Sequence, residues 1–537
     1  MPGRATPQLN LPLLLDREGA LPLQRQLTEQ VRRAIAAGQF APGARLPSTR
    51  ALAAVLGVSR NVAVAAYDEL FAEGYVGGRH GSGTYVERDL PARPAAPLPA
   101  PAGAPRWLRR PAPPARSEQV GAPPARGPIE FRPGMPAIGL LPRAVWRQVW
   151  RAVAAEPPPN VYGAPAGDPD LRAAIAAYLG RARGIACGPD DVVITSGASQ
   201  AFDLLARATL APGDLAAIEE PGYPAARNLL LERGARLVPL PVDDDGVRVE
   251  RLPGGVAAPL LVYVTPSHQY PLGVRLVVAR RLALLDWARA NDALIVEDDY
   301  DSEFRFDAPP LPALMGLDRE GRVAYVGTFS KSLAPALRAG FLVAPAPLRE
   351  RVERLKGLTD YHTAWPVQRA LMFLLAGGHL ERHIRRVRRE YAERRAILRE
   401  ILAPLAPRAR LLGLDAGLHA CLALAPGSGL DARRVAAVAL ARGVLVTTLD
   451  EYYHGPPDRQ GLLLGYGGLG AAELRRGARA GGGHRGVGQS GSRAVGRDGR
   501  RQTADGRRRT DEGRRGAVKR GCGGGARAAL RGAVPGG

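Results

Sequence analysis

Between Pro91 and Pro128 the chain is built largely from proline, alanine and arginine, with neither a helical nor a strand period of apolar residues. Such a stretch cannot bury enough surface to fold and leans toward polyproline II, so the residues on its two sides cannot share one core. It is a tether. At about 3.1 Å per residue its stretched length exceeds about 100 Å. Its arginines at 106, 109, 110, 116 and 126 read as solvated rather than as specific contacts. The 537 residues, 46% of them hydrophobic, therefore divide into two folded parts. The expected bounds are 11–88 and 129–480, with a tether over 89–128 and a Gly/Arg-rich tail over 481–537.

In the first part, apolar residues at 23, 27, 31, 34 and 35 lie on one helical face, and Gly38 stops that helix. Ser48 is placed to cap a short helix from Thr49 to Leu56, Gly57 makes a turn, and Ser59 is placed to cap a third helix ending near Glu73. Two short β-type runs, Tyr75 to Val86, then flank a basic glycine-rich tip. This order predicts an α+β winged helix-turn-helix that binds double-stranded DNA. Its third helix would enter the major groove and its wing would reach the neighbouring backbone. Arg60 and Asn61 are the expected base readers. Arg45 and Arg50 would meet phosphates or a guanine edge, Ser48 and Ser59 would donate to phosphate, and Arg79 and His80 would form the wing. Tyr67, Leu70 and Phe71 are expected in the core beside Val64. A helical hairpin that docks another protein is the alternative reading.

In the second part, Lys331 sits in Gly327-Thr-Phe-Ser-Lys-Ser-Leu-Ala-Pro-Ala-Leu-Arg338, thirty-three residues after Asp298 in Val296-Glu-Asp-Asp-Tyr300. A lysine in such a stretch can form a Schiff base with an aldehyde, and a buried carboxylate can keep a pyridine nitrogen protonated. Together they describe a pyridoxal 5'-phosphate (PLP) site. Ile194-Thr-Ser-Gly-Ala-Ser-Gln200 leaves a strand and opens an apolar helix, so the backbone of Gly197, Ala198 and Ser199 would cup a phosphate. Arg338 is a bidentate phosphate partner. Tyr223, on the turn Glu219-Glu-Pro-Gly-Tyr-Pro224, is expected to stack on a planar ring.

The order and spacing of these motifs resemble the fold type I aminotransferases, and within them the MocR-type regulators, which join such an α/β domain to a GntR-type head. Thr265-Pro-Ser-His-Gln-Tyr-Pro-Leu-Gly273 and Glu297-Asp-Asp-Tyr-Asp-Ser-Glu-Phe304 look most like that subgroup, and the likeness runs from about Leu11 to about Ala480. The resemblance implies that Asp298 pairs with the pyridine nitrogen and Tyr300 with the ring hydroxyl. Thr328 matches a phosphate-binding hydroxyl, and Tyr270 stands where many of these enzymes keep a ring-contacting asparagine. Tyr162 would reach the phosphate of the partner subunit, so a homodimer is implied. Family members often carry threonine where this chain has Val62. The implied function is a regulator that senses PLP or an amine or amino acid effector through an internal or external aldimine at Lys331, acting on an operator with repeated half-sites. The alternative is a working transaminase with an attached DNA-binding domain. That activity needs an arginine for the substrate carboxylate. Family members usually place one just before the last strand, where this chain reads Gly461-Leu-Leu-Leu-Gly-Tyr466, so only Arg459 and Arg227 offer themselves. His268 and His419 are pocket candidates that as lone histidines read more simply as core.

The formal net charge of +23 suggests a polyanion partner, but from Gly477 onward fifteen Lys or Arg stand against four Asp or Glu, so about half of the excess lies in the tail. That tail has no period and hardly any large apolar residue, which predicts disorder. A shifted reading frame accounts for it better than a designed RNA-binding segment, and the last helix is then cut short. Cys187, Cys421 and Cys522 have no metal-ligand spacing, so no metal site is expected, and a reducing, cytoplasmic setting is. No apolar run reaches the length of about 20 residues that a bilayer requires.

Overall fold

The computed structural model describes residues 13–79, 83–88, 128–306 and 312–479. They form two compact units divided after Ala112. The tether, the tail and His80 lie outside the described residues, and Arg79 is described only through its backbone.

The first unit consists of α1 (Leu23–Ala36), α2 (Thr49–Leu56), α3 (Arg60–Ala72), β1 (Val76–Arg79) and β2 (Gly83–Val86). Its core is Leu27, Val31, Ile35, Leu46, Leu52, Ala63, Ala66, Leu70, Val76 and Val86, all at most 3% exposed. The short turn between α2 and α3 works because Gly57 adopts φ 61°, a left-handed conformation open to glycine. Polar ties set the helix angles. Thr28 Oγ1 and Gln24 Nε2 of α1 donate to Glu69 of α3 at 2.9 and 3.1 Å, and the Tyr67 hydroxyl donates to Pro47 O at 3.0 Å.

Ser48 caps α2 as expected, accepting from Ala51 N at 3.2 Å. We expect Ser48→Ala to lower the unfolding free energy of this unit by about 1 kcal/mol. Chemical denaturation of the full chain, followed by a probe in the head, checks this, and an unchanged midpoint would refute it. Two expectations fail. Ser59 occupies the N-cap of α3 but makes no capping bond, which leaves its hydroxyl for a partner. Phe71 is 61% exposed, because the buried stripe of α3 runs through Ala63, Ala66, Tyr67 and Leu70, and one further residue turns about 100° out of it.

The second unit is a sheet of eight strands covered by helices. Their order is Val192–Thr195, Gly340–Val343, Val323–Thr328, Leu294–Asp299, Leu261–Val264, Leu215–Glu220, Arg236–Asp243 and Gly246–Val247. The five from Val323–Thr328 to Arg236–Asp243 run parallel, and Gly340–Val343 is antiparallel to both neighbours. The near-continuous Val, Ile, Leu and Ala of the central strands fits a sheet buried on both faces. A smaller antiparallel sheet, Ala409–Leu412, His419–Leu424, Gly461–Gly465 and Thr447–Thr448, follows the long helix His379–Leu402. The closing strand lies where the sequence puts it. The last described helix, Ala471–Arg479, buries Leu474 against Phe131, Leu398, Ile401 and Leu464.

Candidate functional site

In an open α/β sheet, ligands bind beyond the carboxyl ends of the parallel strands. Five such ends carry the predicted residues: Thr195 leads to Ser196-Gly197, Glu220 to Tyr223, Val264 to Thr265–Tyr270, Asp299 to Tyr300, and Thr328 to Lys331.

The strand Leu294–Asp299 ends in three consecutive acids, and the two-residue period of a strand sorts them. Glu297 and Asp299 share one face and serve the scaffold. Glu297 accepts from Leu314 N and Met315 N at 2.8 and 2.9 Å, while Asp299 uses Oδ2 to pair with Arg183 at 2.6 Å and to accept from the Tyr325 hydroxyl at 2.6 Å, its Oδ1 having no hydrogen-bond partner among the described residues. Asp298 faces the other way. It is 5% exposed, its Oδ2 accepts from the Tyr263 hydroxyl at 2.7 Å, and its buried Oδ1 has no hydrogen-bond partner among the described residues. Burial pushes its proton affinity up to about 7, against the pull of Tyr263 and of the nearby Lys331 ammonium.

Lys331 Nζ donates to Gly134 O at 2.9 Å. Gly134 has φ 77°, and a Cβ there would come within 2.5 Å of that nitrogen, so the position requires glycine. Tyr300, Tyr270 and Tyr223 form a row of edge-on rings, with centroids 5.7 Å apart for Tyr270–Tyr300 and 5.4 Å for Tyr223–Tyr270. The Tyr300 hydroxyl donates to His268 O at 2.9 Å. His268 sets Nδ1 against Asp301 at 2.9 Å and Nε2 against Gly413 O at 3.1 Å. Two acceptors on the two ring nitrogens favour the doubly protonated ring, and Asp301 raises its proton affinity against the opposing effect of burial. The His419 ring lies 4.9 Å away, tilted by 52°, and burial, reinforced by His268, lowers its proton affinity well below the ordinary range. Its Nδ1 is buried without a partner. Thr328 is buried, and its Oγ1 accepts from Ser330 N at 3.1 Å.

At the other end of the cleft, helix Ala198–Thr209 begins at Gly197, φ 93°. Gln200 and Ala201 N–H turn back to Gly197 O, so the amides of Ala198 and Ser199 are the helix's open donors. The Arg338 guanidinium lies beside this turn: Nη2 donates to Ser196 O at 2.9 Å, and a Cβ on Gly197 would meet it at 3.0 Å. Arg338 holds φ 48°, a conformation sparsely populated by residues with side chains. Beneath, Gln200 Oε1 accepts from Ser196 N at 2.7 Å, and fully buried Lys356 is paired with Asp360 at 2.8 Å.

The chemistry of this set suits PLP. An orphaned buried carboxylate oxygen awaits a cationic ring nitrogen, an amine stands beside it, and a helix end with an arginine awaits a phosphate. Tyr162 stands apart from them, 77% exposed and stacked on Tyr361 at 4.8 Å. Sequence reasoning missed Tyr263, Gly134, Gln200 and the Asp301–His268 pair. Only Asp301 carried a signal, being the fourth polar residue in Glu297–Asp301. Arg459 and Arg227 each donate to a main-chain carbonyl, Val242 O at 2.9 Å and Tyr453 O at 2.7 Å.

Residues 138–458 match the family described as aminotransferase class I and II, and residues 23–86 match the gntR family of bacterial regulatory proteins. The chain is 40% identical over 474 residues, 87% of its length and 94% of the relative's, to the "Probable rhizopine catabolism regulatory protein MocR" of Rhizobium meliloti. The chain belongs to the MocR-type regulators. The pyridoxine biosynthesis transcriptional regulator PdxR of Corynebacterium glutamicum is 36% identical, over 85% of this chain and 95% of that one. Among solved structures, the kynurenine aminotransferase of Pyrococcus horikoshii is 29% identical with a TM-score of 0.62, covering 66% of this chain and 90% of that one. This MocR-type chain thus combines a GntR-type winged helix-turn-helix with a PLP-dependent fold type I domain. No helix among the described residues is long and apolar enough to cross a membrane.

Proposed function

We propose that this chain is a cytoplasmic, homodimeric transcription regulator that holds PLP at Lys331 and uses it to sense the cofactor itself or an amine or amino acid. One observation carries the reading: the buried, unpartnered Oδ1 of Asp298 lies at the same strand ends as Lys331, in a chain that also has a DNA-binding head. When bound, PLP supplies an aldehyde for the lysine amine and an electron-withdrawing ring. Asp298 would hold the ring nitrogen's proton, with Tyr263 fixing the carboxylate. Tyr300 and Tyr270 would line the ring's edge and Tyr223 would cover its face. Gly197, Ala198, Ser199, Thr328 and Arg338 would hold the phosphate, joined by Tyr162 of the partner subunit.

In the head, Arg45, Ser48, Arg50, Ser59, Arg60 and Asn61 are all exposed, the last three at the start of α3. That is where a recognition helix meets base edges and phosphates, and Arg79 and His80 would extend the contact from the wing. Repeated half-sites follow from two heads per dimer. The transaminase alternative is less well supported, because Arg459 and Arg227, the arginines the sequence offers for a substrate carboxylate, are each engaged with a main-chain carbonyl.

A ligand changes DNA affinity only if it favours one arrangement of the heads, and a coupling of about 1 to 3 kcal/mol, or 5- to 150-fold, is typical. Titrating the DNA upstream of the chain's own gene with protein, with and without PLP, should reveal a change of that size or a changed footprint. Identical affinity, footprint and transcription output would reject sensing.

A further inference from the structure

His268 lines a cavity of about 400 Å³ bordered also by Arg275, Arg305, Arg399, Arg410, Gly413 and Asp415. Arg305 is 6% exposed, yet no carboxylate lies within ion-pair distance of it among the described residues. Among the described residues its buried Nε has no partner, and its guanidinium makes a single bond, to Ser267 O at 3.5 Å, long for a hydrogen bond. Arg275 lines the same cavity, also without an ion pair among the described residues, and repels Arg305, while Asp415 and Asp301 attract it from beyond ion-pair distance. Three carboxylates border the cavity too. Asp244 is taken by Arg410 at 2.9 Å, and Asp245 and Asp415 stand beyond ion-pair distance of Arg305 and Arg275. A guanidinium stays charged even when buried, so a buried and unpaired one is a costly arrangement unless an anion completes it.

We propose that Arg275 and Arg305 form a binding site for a small oxyanion, a carboxylate or a phosphate group, separate from the phosphate cup at Ala198, Ser199 and Arg338. Planar guanidinium forks match both groups bidentately. His268 separates this site from Lys331: its Nε2 meets Gly413 O on the cavity wall, and its Nδ1 meets Asp301 and the Tyr300 hydroxyl. An anion at Arg305 therefore lies one imidazole ring away from the residues around the lysine. That gives a second effector a physical route to the cofactor site.

The test is calorimetric titration of the full chain, saturated with PLP so that the phosphate cup is filled, at fixed ionic strength. Inorganic phosphate and succinate are titrated separately, and the one that binds identifies the anion class. We expect one saturable site per chain, weakened at least tenfold in Arg275→Gln and in Arg305→Gln. Arg275 is exposed, so its variant folds even if the Arg305 variant does not. Binding should persist in Arg338→Gln, which removes the cup's guanidinium. That variant also keeps the test valid if the chain does not load PLP, a failure that visible absorbance reports independently. Absence of saturable binding by either anion, or binding unchanged in Arg275→Gln, would overturn the proposal, because the latter is only general attraction to a chain of net charge +23.

Discussion

Replacing Lys331 by alanine should abolish the covalent retention of PLP altogether. The parent chain, supplied with the cofactor and freed of excess by gel filtration, should absorb visible light and gain one phosphopyridoxyl group in mass after hydride reduction. Lys331→Ala should do neither. The expectation rests on geometry around one nitrogen. Nζ is held by Gly134 O at 2.9 Å and is close enough to Asp298 and Asp301 to lower their proton affinities. A surface lysine that reacted by chance would lack such a setting, and other lysines would share the label. The Arg338 cup and the tyrosines remain in Lys331→Ala, so noncovalent PLP binding should survive in weakened form and be visible by dialysis. A parent protein that stays colourless and gains no mass would sink the assignment.

The residues proposed to hold the cofactor were legible because their types are costly in the places where they occur. An acid at the end of an apolar strand, and a Ser-Gly-Ala-Ser turn opening a helix, are signals a sequence shows directly, although two of the three acids there, Glu297 and Asp299, turn out to brace the scaffold. What stayed hidden were groups whose type suits a core. Tyr263 lies in Leu261–Val264, an apolar strand in which tyrosine reads as packing, and only the neighbouring strand reveals its bond to Asp298. The His268–Asp301 pair spans 33 residues of sequence and meets only once both strand ends reach the same edge. Gly134 has no motif around it at all, since its need for glycine comes from an amine 197 residues away. In the head, helical period and turn glycines gave every element, whereas Phe71 misled because at a helix's last turn one residue of phase separates core from solvent.

The second large effect concerns the pH dependence of folding. Asp298 binds its proton with an affinity of about 7 in the folded, cofactor-free chain, against 3.8 for a free side chain, and the first cause is burial. Between those values the native state holds a proton that the unfolded chain has released, so raising the pH favours unfolding. The stability associated with the protonated form is complete below pH 4 and is lost as pH rises through 7. The shift corresponds to about 4 kcal/mol at most. Glu219 and Glu303, buried and also near 7, add slopes of the same sign, so the comparison must be between variants. Asp298→Asn keeps the shape and removes the titration. Its urea-unfolding free energy should therefore fall less steeply than the parent's from pH 4.5 to 7.5, the gap widening by a few kcal/mol. Saturating PLP should flatten the parent's profile, because a protonated ring nitrogen beside Oδ1 stabilises the carboxylate and restores it to its usual range. The same addition should leave the Asp298→Asn profile nearly unchanged, since a neutral amide gains little from that charge. Parallel pH profiles for the two cofactor-free proteins would show that the Asp298 carboxyl titrates normally, and the orphaned oxygen would then lose its role as the feature that selects a cationic ring.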